Sequence, residues 1–276
     1  MEKEEKNTNK KEFKKYIKPI IAILIALILI IVLANNLIQK HQLKTQFEQD
    51  YLGKAELNEE QIFHVSKIFC YSSASADTNS TKQPQWDLNL NQFTDIAIYL
   101  NTNRDNGITE ENTIKKMSIY DINITNNEDD NADLYFKDLT KFGTYTYSEE
   151  NRIDGSLNYE IMNSYELDYS KPQIYIGANN PISLEFIRKN VRKNYIIKDL
   201  STPLLFNGTI LKQANVPKDN LTTTVSFKIE IINHLDQEFI ANVYLDIPIE
   251  EEKSIYEDGF CTKEFLNPDI SFLRVK

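Results

Sequence analysis

Residues able to do chemistry are few in this chain, and they are scattered. Its only cysteines are Cys70 and Cys261, and its histidines are His41, His64 and His234. A structural zinc takes four Cys or His ligands at short spacings, and neither CxxC nor HExxH occurs. The three histidines therefore read as ordinary structural or solvated residues. Glycine is scarce, at 7 residues in 276, and no two stand close enough to build GxGxxG or GxxxxGK[ST]. Loops that cradle phosphate through close backbone approach are thereby excluded. There is no GxSxG elbow for a nucleophilic serine. Asp129, Asn131 and Asp133 in NNEDDNAD begin like a calcium loop, with oxygen ligands at alternate positions. Leu134 then stands where the turn needs glycine, and Thr140 where a bidentate glutamate should close it, so the segment reads as an acidic solvated loop. No catalytic, cofactor-binding or metal-ligating residue is assigned, and no cofactor is expected.

Two groupings keep some chemical content. In an exported domain Cys70 and Cys261 can form a disulfide joining the first strand region to the last hairpin. Closing so long a loop is worth at most about 5 kcal/mol in the loop-entropy account. Two buried free thiols are the competing reading. Arg188, Lys189, Arg192 and Lys193, in RKNVRKN, form a dense basic cluster that could contact anionic lipids or wall polymers. Its plainer reading is a solvated turn.

The elements that must position these residues begin with an anchor. Pro19 to Ala34 reads PIIAILIALILIIVLA, without a single charge. Extended from Ile17 to Ile38, the helix reaches roughly 33 Å at about 1.5 Å per residue, enough for a hydrocarbon core of about 30 Å. Lys18 and Lys40 can snorkel to the two interfaces, and Tyr16 suits the headgroup level. The first 18 residues carry seven lysines against four glutamates, a net +3, which leaves −13 for the rest of a chain of net charge −10. By the positive-inside rule the tail is cytoplasmic and the body lies outside. The rival reading is a secretory signal peptide cut after Ala34, and it exports the body equally. So acidic a body would be repelled by phosphate backbones, so nucleic acid is not expected as a partner.

Beyond the span, Leu37, Ile38, Leu43, Phe47 and Tyr51 fall on one helical face and predict a stalk. The remainder reads as antiparallel β. Val225, Phe227, Ile229 and Ile231 alternate with polar residues in Leu221–His234, as do Phe239, Ala241, Val243, Leu245 and Ile247 in Glu238–Ile249. That period of two, with a short polar connection at Asn233–Gln237, predicts a long hairpin. Further strands are expected at Gln61–Tyr71, Gln92–Asn101, Thr113–Ile122, Ser156–Asn163, Gln173–Ile176 and Tyr195–Lys198, with Pro181–Lys193 read as a strand and turn. Asn106-Gly107, Asp154-Gly155, Asn207-Gly208 and Asp258-Gly259 have the composition of hairpin turns. Ser72–Gln85 and Asn126–Ala132 are polar enough to be loops.

The predicted fold is mainly β: an antiparallel, β-sandwich-like extracytoplasmic domain preceded by one N-terminal transmembrane helix. The domains are a Lys-rich cytoplasmic tail (1–16), the span (17–38), a helical stalk (39–56) and the β-rich body (57–276). The stretches DIAIYLN, ENTIKKMSIYDINI, ANNPISLEFI and VSFKIEIINHLDQEFIANVYLDIPI resemble those of uncharacterised single-pass membrane-anchored proteins of low-GC Gram-positive bacteria. That resemblance implies a tethered surface domain and brings no named activity. The layout also invites comparison with type IV pilins, but Lys18-Pro19 opens the apolar run where their processing glycine belongs, and no glutamate follows inside it. The expected function is a membrane-tethered interaction or structural module at the cell surface. Its partners are the lipid bilayer and a surface protein or wall polymer. A pilin-like or secretion-machinery subunit and a surface enzyme without a recognisable motif are the alternatives.

Overall fold

A computed structural model describes residues 32–35, 38, 61–80, 85–104, 107–126, 131–198 and 204–275. The chain divides into two units, Met1–Ala55 and Glu56–Lys276. In the first, residues 32–35 and 38 are helical, with Val32, Leu33 and Ile38 exposed. Among the described residues no helix is long and apolar enough to cross a membrane. The tail, most of the expected span and the stalk lie outside the described residues.

The second unit is mainly β. Its strands are β1 (Phe63–Ser80), β2 (Trp86–Thr102), β3 (Ile114–Asn126), β4 (Asn131–Phe136), β5 (Ser156–Met162) and β6 (Gln173–Tyr175), followed by β7 (Asn180–Ile197), β8 (Thr223–Asn233), β9 (Glu238–Asp246), β10 (Phe260–Leu266) and β11 (Leu273–Arg274). They form a five-stranded sheet in the order β10-β1-β2-β7-β4 and a six-stranded sheet in the order β11-β9-β8-β3-β5-β6. All pairings are antiparallel except β5 with β6.

The predicted hairpin is β8–β9, and its burial alternates residue by residue as the sequence does. Branched and aromatic side chains fill the pleat on one face while Lys228, Glu230 and Tyr244 stay on the other. The connection is tied by Asn233, whose side-chain oxygen accepts the N–H groups of Leu235 and Gln237 at 3.0 and 2.9 Å. Val225, Phe227 and Ile229 of β8 share one apolar core with Ile68, Ile96, Ile98, Leu184 and Phe186 of the other sheet. Phe63 meets Phe239 edge-on within it, ring centroids 5.2 Å apart. Burying each such side chain stabilises the fold by about 1.5–3 kcal/mol.

Several elements differ from the expectation. The expected loop Ser72–Gln85 is strand as far as Ser80, with Ala74, Ala76 and Thr78 of β1 opposite Gln92, Leu90 and Leu88 of β2, and residues 81–84 lie outside the described residues. Small side chains carry too little apolar area there to mark a strand, although Ser72, Ser73 and Ala74 are buried, and the backbone ladder needs none of them. Pro181–Lys193 and Tyr195–Lys198 merge into the single strand β7, which turns through bulges at Asn190 and Asn194, both at positive φ. Asparagine tolerates that region because its short amide bonds locally. Nor does Asn207-Gly208 make a hairpin. Gly208 instead stands at the N-cap of the helix Thr209–Gln213, and just before it the Asn207 side-chain oxygen accepts the Thr209 N–H at 3.1 Å. Gly259, at φ +85°, ends the helix Ile255–Asp258. Left-handed backbone is as useful for stopping a helix as for turning a hairpin, so the dipeptide alone cannot separate the two. These two short helices cover a smaller core of Leu88, Leu90, Ile210, Leu211 and Ile255.

Candidate functional site

Strands β2 and β7 are unusual in being buried on both faces: every residue from Leu90 to Ile98 and from Ile182 to Arg188 is buried. On the inward side Ile96, Ile98, Ile182, Leu184 and Phe186 meet the second sheet, and Leu90 packs under the short helices. Their outward ones, Phe93, Asp95, Glu185 and Ile187, are covered by the segment that follows β4. Register places Tyr71, Asp95, Glu185 and Tyr135 side by side in one row across β1, β2, β7 and β4. Lys137, two residues beyond Tyr135, keeps to the same face because its N–H donates to the Ser183 carbonyl and extends the ladder.

Asp95, Lys137 and Glu185 are each wholly withdrawn from solvent. The Lys137 ammonium lies 3.0 Å from Asp95 Oδ1 and 3.1 Å from Glu185 Oε1. It also donates to the carbonyl of Thr144 at 2.6 Å. Asp95 Oδ2 accepts the backbone N–H of Gly143 at 2.6 Å. Two oxygens in the cluster, Asp95 Oδ1 and Glu185 Oε2, accept no aligned hydrogen bond, although the first is in ion-pair contact with the lysine. Two carboxyls facing one ammonium cannot both ionise without leaving a net charge in the interior, where that is costly. Burial, then the Asp95 charge, pushes Glu185 up to about 8. Burial also pushes Asp95 up to about 6, opposed by Lys137 and the Gly143 N–H. One proton held between the two carboxyls, opposite the Lys137 ammonium, makes the cluster neutral.

The covering segment is held at several points. Asp138 caps the 3-10 turn Leu139–Lys141 by accepting the Thr140 N–H at 2.9 Å. Gly143 then takes φ +81°, which aims its N–H at Asp95. Phe142 packs on Phe69, Tyr145 on Phe93 and Tyr147 on Tyr135, with centroids 5.9, 5.7 and 5.5 Å apart. Lys189 lies 4.1 Å over the Tyr147 ring and pairs with Glu149 at 2.7 Å. Aromatic side chains thus ring the cluster, and burial raises the phenol of Tyr145 well above its ordinary range.

The residues singled out in sequence do not converge on this site. The four basic residues do not make one surface: Arg188 is buried and donates to the Asn220 carbonyl, and Lys189 serves the covering segment. Arg192 and Lys193 alone are exposed, between the two bulges of β7. Cys70 and Cys261 are both buried free thiols, on adjacent strands and offset by two positions, since Ser72 is the residue opposite Cys261. Burial pushes Cys70 up to about 12 and Cys261 up to about 11. His64 is half-buried, which lowers its pKa, and His234 touches Thr113 at 3.3 Å. His41 and Asp129 lie outside the described residues, while Asp133 pairs with Arg152 at 3.4 Å. Among the described residues no group of three potential metal ligands comes together. A surface cleft of about 480 Å³ opens beside β3 and β4, lined by Asp121, Asn123, Asp133, Ile124 and Ile153. Asp121 is engaged there by Lys228 at 2.7 Å.

The triad had a legible signal: FTDIAIYL and ISLEFI each set one charge inside an otherwise apolar strand, and in LYFKDL the charges Lys137 and Asp138 follow directly on the apolar end of β4. Compared with known protein families, curated proteins and solved structures, the chain matches none.

Proposed function

We propose that the chain is a membrane-tethered extracytoplasmic module whose antiparallel β-sandwich serves as an interaction or structural body and not as a catalyst. The observation that carries this reading is the uncharged run Pro19–Ala34 beside seven lysines. Such a run satisfies its own backbone as a helix and offers lipid nothing to desolvate. Val32, Leu33 and Ile38, helical and 51–60% exposed, are side chains that need an apolar cover, and acyl chains supply one. The ionisable cluster of the body supports a structural role. Its lysine is saturated by internal partners, and the covering segment leaves it no solvent contact. A surface protein or wall polymer is the partner to which the body is addressed.

The test uses the full-length chain with a tag at each end. Alkaline carbonate should leave it in the membrane pellet, and protease added to intact cells should remove the C-terminal tag alone. Full-length chain in the soluble cytosolic fraction would overturn the reading.

A further inference from the structure

We propose that Lys137 and Asp95 condense into a side-chain amide, an intramolecular isopeptide bond, with Glu185 carrying the protons. The three groups are already in contact, at 3.0 Å between Lys137 Nζ and Asp95 Oδ1 and 3.1 Å between Lys137 Nζ and Glu185 Oε1. All three are withdrawn from water. Held neighbours of this kind react with effective molarities of about 10⁵–10⁸ M. In a dry enclosure an amine beside a carboxylic acid competes with an ammonium beside a carboxylate, because the ion pair forfeits its hydration.

The step balances within the chain. One proton passes from the Lys137 ammonium to the Asp95 carboxylate, giving an amine and an acid. The Nζ lone pair then attacks Asp95 Cγ and forms the C–N bond. Glu185 accepts a proton from the nitrogen and delivers one to the departing hydroxyl. A Cγ–O bond breaks, water leaves, and Glu185 ends in the protonation state in which it began. No oxidant or co-reactant is needed.

The geometry assigns the roles. Asp95 is the acyl partner because the Gly143 N–H donates to its Oδ2 at 2.6 Å, where negative charge develops as the carbonyl becomes tetrahedral. Glu185 stands on β7, between the two reacting residues, and its Oε2 lacks an aligned hydrogen bond. That oxygen is free to take and return a proton. Other charged or titratable groups nearby are Tyr71 beside Asp95, Tyr145 and Tyr147 on the covering segment, and Asp77, which reaches Tyr145 through Asn91. None offers a competing amine. The product would tie central β2 to the end of edge strand β4 across β7. An edge strand exposed to pairing or to pulling would then be fastened covalently. This inference does not depend on the membrane reading, and the body could carry the bond wherever it is found.

Intact mass spectrometry of the purified full-length chain tests it. The wild type should weigh one water less than its sequence, and its digest should hold a branched peptide joining the segments of Asp95 and Lys137. Lys137→Met and Asp95→Ala should each have the full mass of their own sequences. Asp95→Asn should lose one ammonia instead of one water, because an amide leaving group departs as ammonia. Glu185→Gln should condense about 10²–10⁴-fold more slowly, the usual contribution of a positioned acid–base group. A wild type of full mass, with Lys137 open to trypsin in the denatured chain, would overturn the proposal without reference to any variant. A branch through Glu185 would overturn the assignment of Asp95.

Discussion

On the inner face of the five-stranded sheet, Ile96, Ile98 and Leu184 meet Phe227 and Ile229 of the second sheet. On its outer face, one residue along the same strands, Asp95 and Glu185 meet Lys137 beneath a short covering segment. Both faces exclude water. The inner one is held by apolar area, which is insensitive to pH and forgiving of direction. The outer one is held by charge, hydrogen bonds and a shared proton, which are directional and depend on every member being present. A buried charged cluster adds little net stability over an apolar filling, but it is strongly destabilising once one partner is lost. It therefore fixes where the covering segment sits more than it strengthens the fold.

The comparison can be broken from either side. Lys137→Met leaves two carboxyls facing each other without a cation and should cost about 3–5 kcal/mol, the range for breaking a buried pair. Ile98→Ala opens a cavity on the inner face and should cost about 2–5 kcal/mol, or slightly less on average. Urea unfolding at several pH values separates the two. The Lys137→Met loss should shrink as the pH falls and the carboxyls take up protons, and the Ile98→Ala loss should stay constant. Equal pH dependence would remove the distinction between the faces.

Glu185 sharpens the contrast. Its proton is held to about pH 8 in the folded chain, against an ordinary value of 4.5. Between those values the folded state binds a proton that the unfolded state has released. Stability from this group is complete below 4.5 and is lost as the pH rises toward 8. The slope is at most about 1.4 kcal/mol per pH unit. Glu185→Gln should flatten that decline, and an unchanged slope would place the titrating group elsewhere.

The smallest effect is expected at Gly143. A Cβ there would meet only the Tyr71 ring, at 3.9 Å, so space permits alanine. Its φ of +81° does not, and Gly143→Ala should cost about 1–2 kcal/mol of backbone strain. The change should also weaken the N–H contact to Asp95, readable as a shift of the Gly143 amide in NMR spectra.

The sequence by itself determined the strands whose two faces see different surroundings. Alternation marked β8 and β9 residue for residue because one side met the core and the other met water. It also determined the chemistry that glycine scarcity rules out, since close backbone approach to phosphate has no substitute for glycine. Tertiary structure alone decided which charges lie together. Asp95 lies on β2, Glu185 on β7 and Lys137 just past the end of β4, and nothing local to any one of them specifies the sheet order β2-β7-β4 that makes them neighbours. It also decided that RKNVRKN divides between interior and surface, because Arg188 ends the regular buried register of β7 and Arg192 and Lys193 lie exposed beyond the first bulge. A side chain's partners depend on register and on what covers its face, and both are set by contacts remote in sequence.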